Sequence, residues 1–269
     1  MEDKLDLKLS RDLKKYRKQI EATIKPYLEI KPTPHDKTTW WQSKFGGFPY
    51  LPKGFDYPKT ADGEEYLFLL AQINFSELPT LKSFPKKGIL QFYICDDDDY
   101  GCDYDNITEQ DGFRILYFPE PDLNVKNLTT NFDFLPEPEE LPFYRSFSLT
   151  FKRKTAPITA SDYNFEKIFE QEIANQNGTS YYRFKGKYKD ELPSIGHKIG
   201  GYPYFNQEDP RYRFDEKEPY ILFFQIDSDF DLDIMWGEDV GVGNFFIKES
   251  ALKKLDFSDV IYNYDCCYK

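Results

Sequence analysis

The chain has 269 residues, of which 40% are hydrophobic and 18% are aromatic, so it is long and apolar enough to form a sizeable core. Its 47 acidic and 35 basic residues give a formal net charge of -12, which opposes binding to nucleic acids or anionic membranes. No apolar run approaches the roughly 20 residues that span a bilayer, and the charged N-terminus lacks a signal-peptide core. We expect a cytoplasmic protein.

The N-terminal segment predicts a helix and a connector. Apolar residues recur at intervals of three and four over residues 10–30, which is typical of one helix face. Pro26 lacks an amide donor and is expected to kink or end this helix. Pro32 and Pro34 then predict an extended connector.

The first half of the remaining chain predicts strands. Short apolar runs at 66–74, 89–95 and 113–118 are typical of buried strands bounded by turn residues. Residues 119–142 are rich in proline and glutamate and show no period, so they predict an irregular connection.

The middle of the chain mixes both element types. Residues 145–154 alternate like a strand. Ser161 is expected to open a helix that has Phe165 and Phe169 on one face and Gly178 as its stop. The tyrosine-rich stretch 181–188 predicts another strand.

The C-terminal segment predicts a hairpin followed by a short helix and a last strand. The hairpin strands are expected at 220–226 and 244–248. The helix is expected at 249–255 and the last strand at 260–264. Four cysteines are too few for a disulfide scaffold of this length, so we expect reduced thiols.

Three sequence blocks occur twice, in the same order and with nearly constant spacing, which predicts an internal duplication. The paired blocks are 44–50 with 198–204, 69–74 with 222–227, and 88–94 with 241–247.

The duplication leads to a fold class and a division of the chain. We predict an α+β fold, rich in largely antiparallel sheet, with two pseudo-symmetric halves and a few peripheral helices. The expected segments are 1–39 (helix and connector), 40–118 (first repeat), 119–195 (connection) and 196–269 (second repeat), within one compact unit.

Several blocks resemble the YwqG-like family of bacterial proteins, a domain family of unknown function. The resemblance covers roughly residues 40–255 and implies a β-rich duplicated fold without an established activity. It rests on Gly46-Gly47-Phe48-Pro49 with Leu51-Pro52, Ala71-Gln72-Ile73-Asn74 with Glu77-Leu78-Pro79, Gly88 with Phe92, Gln225-Ile226-Asp227-Ser228-Asp229, and Met235-Trp236-Gly237. One departure is Glu238, which stands between Trp236-Gly237 and Asp239.

The duplication also indicates a candidate site. Gln72 and Gln225 occupy equivalent positions at the ends of apolar strands, as do Asn74 and Asp227, so one hypothesis is that these side chains converge on a cleft between the repeats. The interpretation we favour is that each glutamine satisfies backbone groups at a strand end. The same cleft hypothesis includes Trp236, Glu238 and Asp239, whereas Trp236 could instead cover the sheet.

Metal binding has one candidate in this sequence. Asp227, Asp229, Asp231 and Asp233 alternate and are followed by Glu238, as in a calcium loop, but Leu232 stands where such a loop needs glycine. A solvated turn is the interpretation we favour, so we predict no metal and no cofactor, with calcium as the alternative.

The sequence does not identify an activity. It contains no nucleophile elbow or phosphate-binding glycine loop. The favoured hypothesis is a non-catalytic acidic binding module for a protein partner, such as a basic toxin-like protein. The alternatives are an enzyme acting on a small molecule or sugar through carboxylates in the cleft, and a calcium-stabilised structural module.

Overall fold

The computed structural model describes residues 7–173, 179–192, 194–214, 217–238 and 240–267. These residues form one ten-stranded sheet and five α-helices. The strands are β1 (Lys25–Pro34), β2 (Lys44–Phe45), β3 (Phe68–Asn74), β4 (Ile89–Ile94), β5 (Phe113–Phe118), β6 (Phe147–Ala156), β7 (Lys198–Gly200), β8 (Tyr220–Asp227), β9 (Gly241–Lys248) and β10 (Val260–Cys266). The helices are α1 (Arg11–Lys14), α2 (Arg17–Ala22), α3 (Phe165–Ile173), α4 (Thr179–Glu191) and α5 (Glu249–Lys254).

The sheet is antiparallel throughout and has the order β10-β9-β8-β7-β1-β6-β2-β3-β4-β5. β1 and β6 pair over ten residues at its centre. From this central pair, β2 to β5 and β7 to β10 follow in chain order towards opposite edges. The α+β, β-rich fold class is thus confirmed, whereas the duplication and the division of the chain stay predictions.

The main core lies where the two flanks of the sheet face each other. The ring of Phe92 on β4 lies 4.7 Å from that of Phe224 on β8 and 4.9 Å from that of Phe245 on β9. Near the edges, Phe113 and Tyr262 are 5.2 Å apart. The sheet therefore folds over on itself, because its large apolar side chains are buried only when one flank covers the other.

Helices α1 to α4 form a second core with the start of the chain. Leu13 of α1 and Ile20 of α2 are fully buried there. They pack in one cluster with Phe165 and Phe169 of α3 and Tyr188 of α4. Four of the five described helices thus lie together, whereas α5 packs on the main core through Leu252. None of the described helices is long and apolar enough to cross a membrane.

The predicted helix over residues 10–30 is wrong beyond residue 22. Its first part forms two short helices, α1 and α2, but Lys25–Pro34 forms the central strand β1. The cause is a change of period, because Leu28 and Ile30 are buried while Tyr27 and Glu29 lie on the opposite face. The apolar spacing up to Tyr27 matches both patterns.

The prolines of β1 are compatible with its central position, because their nitrogens, which carry no hydrogen, do not face β6. Ile30 donates its amide to His197 O on the β7 side of β1. Pro26, Pro32 and Pro34 share its parity along the strand, so their nitrogens face that same side. β7 pairs with β1 only over Tyr27–Glu29. Pro32 and Pro34 therefore remove no ladder hydrogen bond.

The predicted strand over residues 181–188 is also wrong, because these residues belong to α4. Phe184 and Tyr188, four residues apart, lie on one helix face and are buried. Their rings lie 5.3 Å and 4.8 Å from Phe169 and Phe165, respectively. Tertiary packing on α3 outweighs the strand preference of tyrosine and phenylalanine.

The other predicted elements are close to the observed ones. The strand predictions correspond to β3, β4, β5, β6, β8, β9 and β10, and the helix at 249–255 corresponds to α5. The helix predicted after Ser161 begins at Phe165, and its predicted stop, Gly178, lies outside the described residues. The four cysteines are free thiols, as expected.

Trp236 packs against two glycines of β9, Gly241 and Gly243, which have no side chains. It is fully buried, and a Cβ added to Gly243 on β9 would lie 2.6 Å from the indole ring. Gly241 approaches the same residue equally closely. Tyr100 and Tyr264 border the indole at 5.1 Å and 5.5 Å. The glycines of β9 thus provide the space for a large core side chain.

We expect Gly243→Ala to lower the free energy of unfolding by about 1–3 kcal/mol, because the new methyl group overpacks Trp236. The control is Gly186→Ala in α4, where an added Cβ meets nothing within 4 Å. That change should leave stability unchanged or raise it by up to about 1 kcal/mol. Urea unfolding of both variants measures the difference, and equal stabilities would contradict the packing argument.

Candidate functional site

Two buried glutamines hold equivalent loops in the two flanks of the sheet. Gln72 Oε1 accepts the Tyr50 amide at 2.7 Å, and Gln72 Nε2 donates to the carbonyls of Trp40 and Gln42. Gln225 Oε1 accepts the Tyr204 amide at 2.8 Å. Both side chains are completely buried. Each glutamine therefore satisfies backbone groups of an irregular segment, 40–50 or 196–204.

The residues two positions further along have similar partners. Asn74 donates its backbone amide to Ser43 Oγ at 2.9 Å and its Nδ2 to Trp41 O. Asp227 donates its backbone amide to His197 Nδ1 at 3.1 Å, and its Oδ2 accepts the Gly196 amide at 2.6 Å. Asn74 therefore holds the first loop and Asp227 holds the second.

The four predicted cleft residues are thus anchors of two loops, and none is more than 7% exposed. Gln72 and Asn74 bind backbone or side-chain groups of segment 40–50, whereas Gln225 and Asp227 bind those of segment 196–204. This matches the structural alternative weighed for them from the sequence. Their role in binding a ligand stays a prediction.

The remaining predicted site residues lie after β8. Trp236 is in the core, Glu238 is exposed, and Asp239 lies outside the described residues. Asp229 and Ile234 exchange backbone hydrogen bonds, and Asp231 donates its amide to Asp229 Oδ1, so this segment is a tight turn. No group of three His, Cys, Asp or Glu side chains within the described ranges is placed to hold a metal ion.

Two buried carboxyl groups lie beside the second loop. Burial raises the pKa of Asp227 and raises that of Asp265 to about 6. Asp265 Oδ2 accepts the Gln207 amide at 3.0 Å, whereas its Oδ1 has no hydrogen-bond partner. Both carboxyl groups are buried beneath other parts of the protein. The alternative of an enzyme that uses carboxylates in a cleft stays a prediction.

Each loop also encloses a buried lysine, which the sequence analysis did not single out. Lys44 pairs with Gln72 across β2 and β3, and Lys198 pairs with Gln225 across β7 and β8. Lys44 Nζ donates to the carbonyls of Thr39 and Phe48 at 2.6 Å and 2.9 Å. Because neutral carbonyls offset burial poorly, the pKa of Lys44 falls to about 7 and that of Lys198 to about 8. The recurrence of lysine in the paired blocks 44–50 and 198–204 was the available signal.

A groove of about 480 Å³ lies against the first loop, at its Gly46-Gly47 turn. Both glycines have positive φ, 59° and 68°, which other residues rarely adopt. The ring of Phe48 stacks on Phe132 at 4.9 Å, with 8° between their planes. Tyr57 lies 6.0 Å from Phe132. The turn thus presents an aromatic side chain to a groove whose opposite wall is the segment 132–145.

This groove has unusually exposed aromatic side chains. Phe48 is 52% exposed and Tyr144 is 65% exposed, and both line the groove. From the sequence, segment 132–145 falls partly in a predicted irregular connection, for which no function is predicted. The run Phe132-Asp133-Phe134-Leu135 could have indicated this surface, because a cluster of large apolar residues in an irregular segment often marks a binding site.

An acidic surface adjoins the groove. The carboxylate of Asp96 accepts the amides of Glu139 and Glu140, with the nearest contact at 2.6 Å. These bonds place the acidic run 96–99, at the end of β4, beside the acidic residues of 137–140. Asp133 and Glu137 line the groove itself, where Arg145 is the basic residue. The acidic loop noted in the sequence and the groove are therefore one continuous surface.

Residues 43–266 match the sequence model of a family described as a domain of unknown function, DUF1963. The chain belongs to this family. The match confirms the expectation of a family without an assigned activity, whereas the YwqG-like name stays a prediction. It begins one residue before β2 and ends with β10, so it includes both loops and the groove. A comparison with curated proteins finds no significant match.

The buried Lys44 predicts how stability depends on pH. Its pKa is about 7 in the folded protein and near 10.5 when unfolded, so the unfolded state binds more protons between these values and stability rises with pH there. Lys44→Met should remove this contribution. We expect the gain in unfolding free energy from about pH 7 to about pH 9.5 to be smaller in Lys44→Met by about 3 kcal/mol.

Urea unfolding of both proteins at the two pH values measures this difference, and Lys126→Met, at an exposed position, is the control. The difference between variants is decisive because buried tyrosines also titrate at high pH. An identical gain in the wild type and in Lys44→Met would show that Lys44 is not held with a lowered pKa.

Proposed function

We propose that this protein is a non-catalytic binding module that holds a basic segment of a partner protein in the aromatic groove beside Gly46-Gly47. The observation that carries the proposal is the exposed ring of Phe48, which stacks on the buried Phe132 next to the acidic surface of 96–99 and 137–140. Aromatic faces attract lysine and arginine side chains, and nearby carboxylates strengthen the attraction.

The net charge of the protein supports the same partner chemistry. At -12, the chain attracts basic proteins over distances set by the ionic strength and repels acidic ones. A partner segment with alternating basic and apolar residues would place cations at the acidic border and apolar side chains in the groove. The basic toxin-like protein considered from the sequence is one partner with this chemistry.

The second loop offers an internal comparison. Tyr202 stands in the repeated block where Phe48 stands in the first. The ammonium group of Lys25, from the chain itself, lies 4.4 Å from the centre of the Tyr202 ring. A basic residue thus covers the aromatic side chain of the second loop, while that of the first is 52% exposed. This contrast supports a lysine or arginine of a partner as the ligand of Phe48.

The test selects random peptides displayed on phage against the immobilised full-length chain. We expect enrichment of sequences that contain Lys or Arg next to apolar residues. Fluorescence polarisation then gives the Kd of an enriched peptide, which should rise with salt and rise about tenfold in Phe48→Ala and in Tyr144→Ala.

Tyr212→Ala is the matched control, because Tyr212 is also an exposed aromatic residue, at 56%, and does not line the groove. The Kd of the enriched peptide for this variant should equal its Kd for the wild type. Enrichment of acidic peptides, or equal weakening by Phe48→Ala and Tyr212→Ala, would contradict the proposal. Thermal unfolding of each variant confirms that the fold is retained.

A further inference from the structure

A second cavity lies between the outer face of the sheet and the helical core, away from the aromatic groove. It has a volume of about 300 Å³ and is bordered by β1, the end of β6, the end of α4 and the second loop. Its polar lining includes Lys154, Glu191, Ser194, Lys198 and the ring of Tyr27. The cavity is therefore separate from the site proposed above.

Lys198 borders this cavity without a directly paired carboxylate. Its Nζ donates to the carbonyl of Ser194 and, at 3.5 Å, to that of Tyr202, which leaves a third direction open. The Tyr27 ring lies 5.7 Å away. Burial lowers the pKa of Lys198 to about 8, and the attraction of Asp227 only partly opposes this. A lysine in such a setting is a much better nucleophile than an exposed one, since more of it is neutral at physiological pH.

Lys154 gives the cavity a permanent positive charge. Its Nζ pairs with Glu29 Oε1, which raises its pKa and keeps it charged. An ammonium group has three donors, so the pair with Glu29 leaves capacity for an anion. Glu191 is engaged elsewhere, because its Oε2 accepts the amide of Ser10. The cavity therefore combines an amine that is partly neutral at physiological pH with a nearby cation.

We propose that this cavity binds a small 2-oxo acid, whose carbonyl carbon forms an imine with Lys198 and whose carboxylate is held by Lys154. The neutral amine adds to the carbonyl, and the resulting carbinolamine loses water. The balance is one amine and one carbonyl compound giving one imine and one water molecule, without oxidation or reduction. A volume of about 300 Å³ lies at the small end of ligand pockets.

Lys44 is the internal control for this inference. It occupies the equivalent position in the first loop, and its pKa is lower still, at about 7. It is only 1% exposed, however, and does not line the groove next to its loop. If a lowered pKa alone produced reactivity, Lys44 would react at least as fast as Lys198. If the cavity matters, Lys198 reacts and Lys44 does not.

The test treats the full-length protein with glyoxylate and sodium cyanoborohydride, which reduces an imine to a stable carboxymethyl amine, and maps the modified lysines by mass spectrometry. We expect Lys198 to be modified at least about tenfold faster than Lys44 and the exposed Lys126. Modification of Lys198 at the rate of either control would overturn the proposal.

The role of Lys154 is tested by comparing glyoxylate with propanal, which lacks a carboxylate. In Lys154→Met, modification of Lys198 by glyoxylate should slow several-fold, while modification by propanal should be unchanged. Equal slowing with both reagents, or with neither, would overturn the assignment of a 2-oxo acid. Unfolding of this variant should match the wild type, since Lys154 is 37% exposed and forms a surface ion pair.

Discussion

The geometry of this protein depends on buried side-chain amides that satisfy the backbone of two irregular loops. A chain segment without regular structure carries amides and carbonyls that cost free energy when buried without a partner. Gln72 forms hydrogen bonds with three of these groups in segment 40–50. Gln225 likewise binds the amide of Tyr204 and the carbonyl of Gly196 in segment 196–204. With these bonds in place, the loops can lie against the sheet, and the Gly46-Gly47 turn can present Phe48.

The buried lysines show the cost of this arrangement. Lys44 and Lys198 each donate to loop carbonyls and give up most of their hydration. The lowered pKa of each is the measure of that loss, since carbonyl dipoles replace water incompletely. In the first loop the lysine is sealed beneath the chain. In the second loop the lysine borders a cavity. The same local structure therefore leaves Lys198, but not Lys44, accessible to a small ligand.

The folded sheet decides which surfaces remain available. The contact between the two flanks buries Phe92, Phe224 and Phe245. Helices α1 to α4 cover the outer face of the sheet near β1. Phe48, beside β2, and Tyr144, in segment 132–145, remain exposed and border one groove. The acidic run 96–99 reaches the same region because Asp96 binds the backbone of Glu139 and Glu140. Position in the fold, more than composition, makes this surface a candidate for binding.

The sequence by itself determined the fold class, the strands with clear apolar runs, and the recurrence of Lys, Gly-Gly and Gln in two blocks, because these depend on local pattern. It also indicated Gln72 and Gln225, though it could not tell a ligand contact from a backbone anchor. Only the tertiary structure decided that Lys25–Pro34 is a central strand, that 181–188 is helical, and that Phe48 meets Phe132. Those outcomes depend on contacts between residues distant in the chain, where packing outweighs local preference.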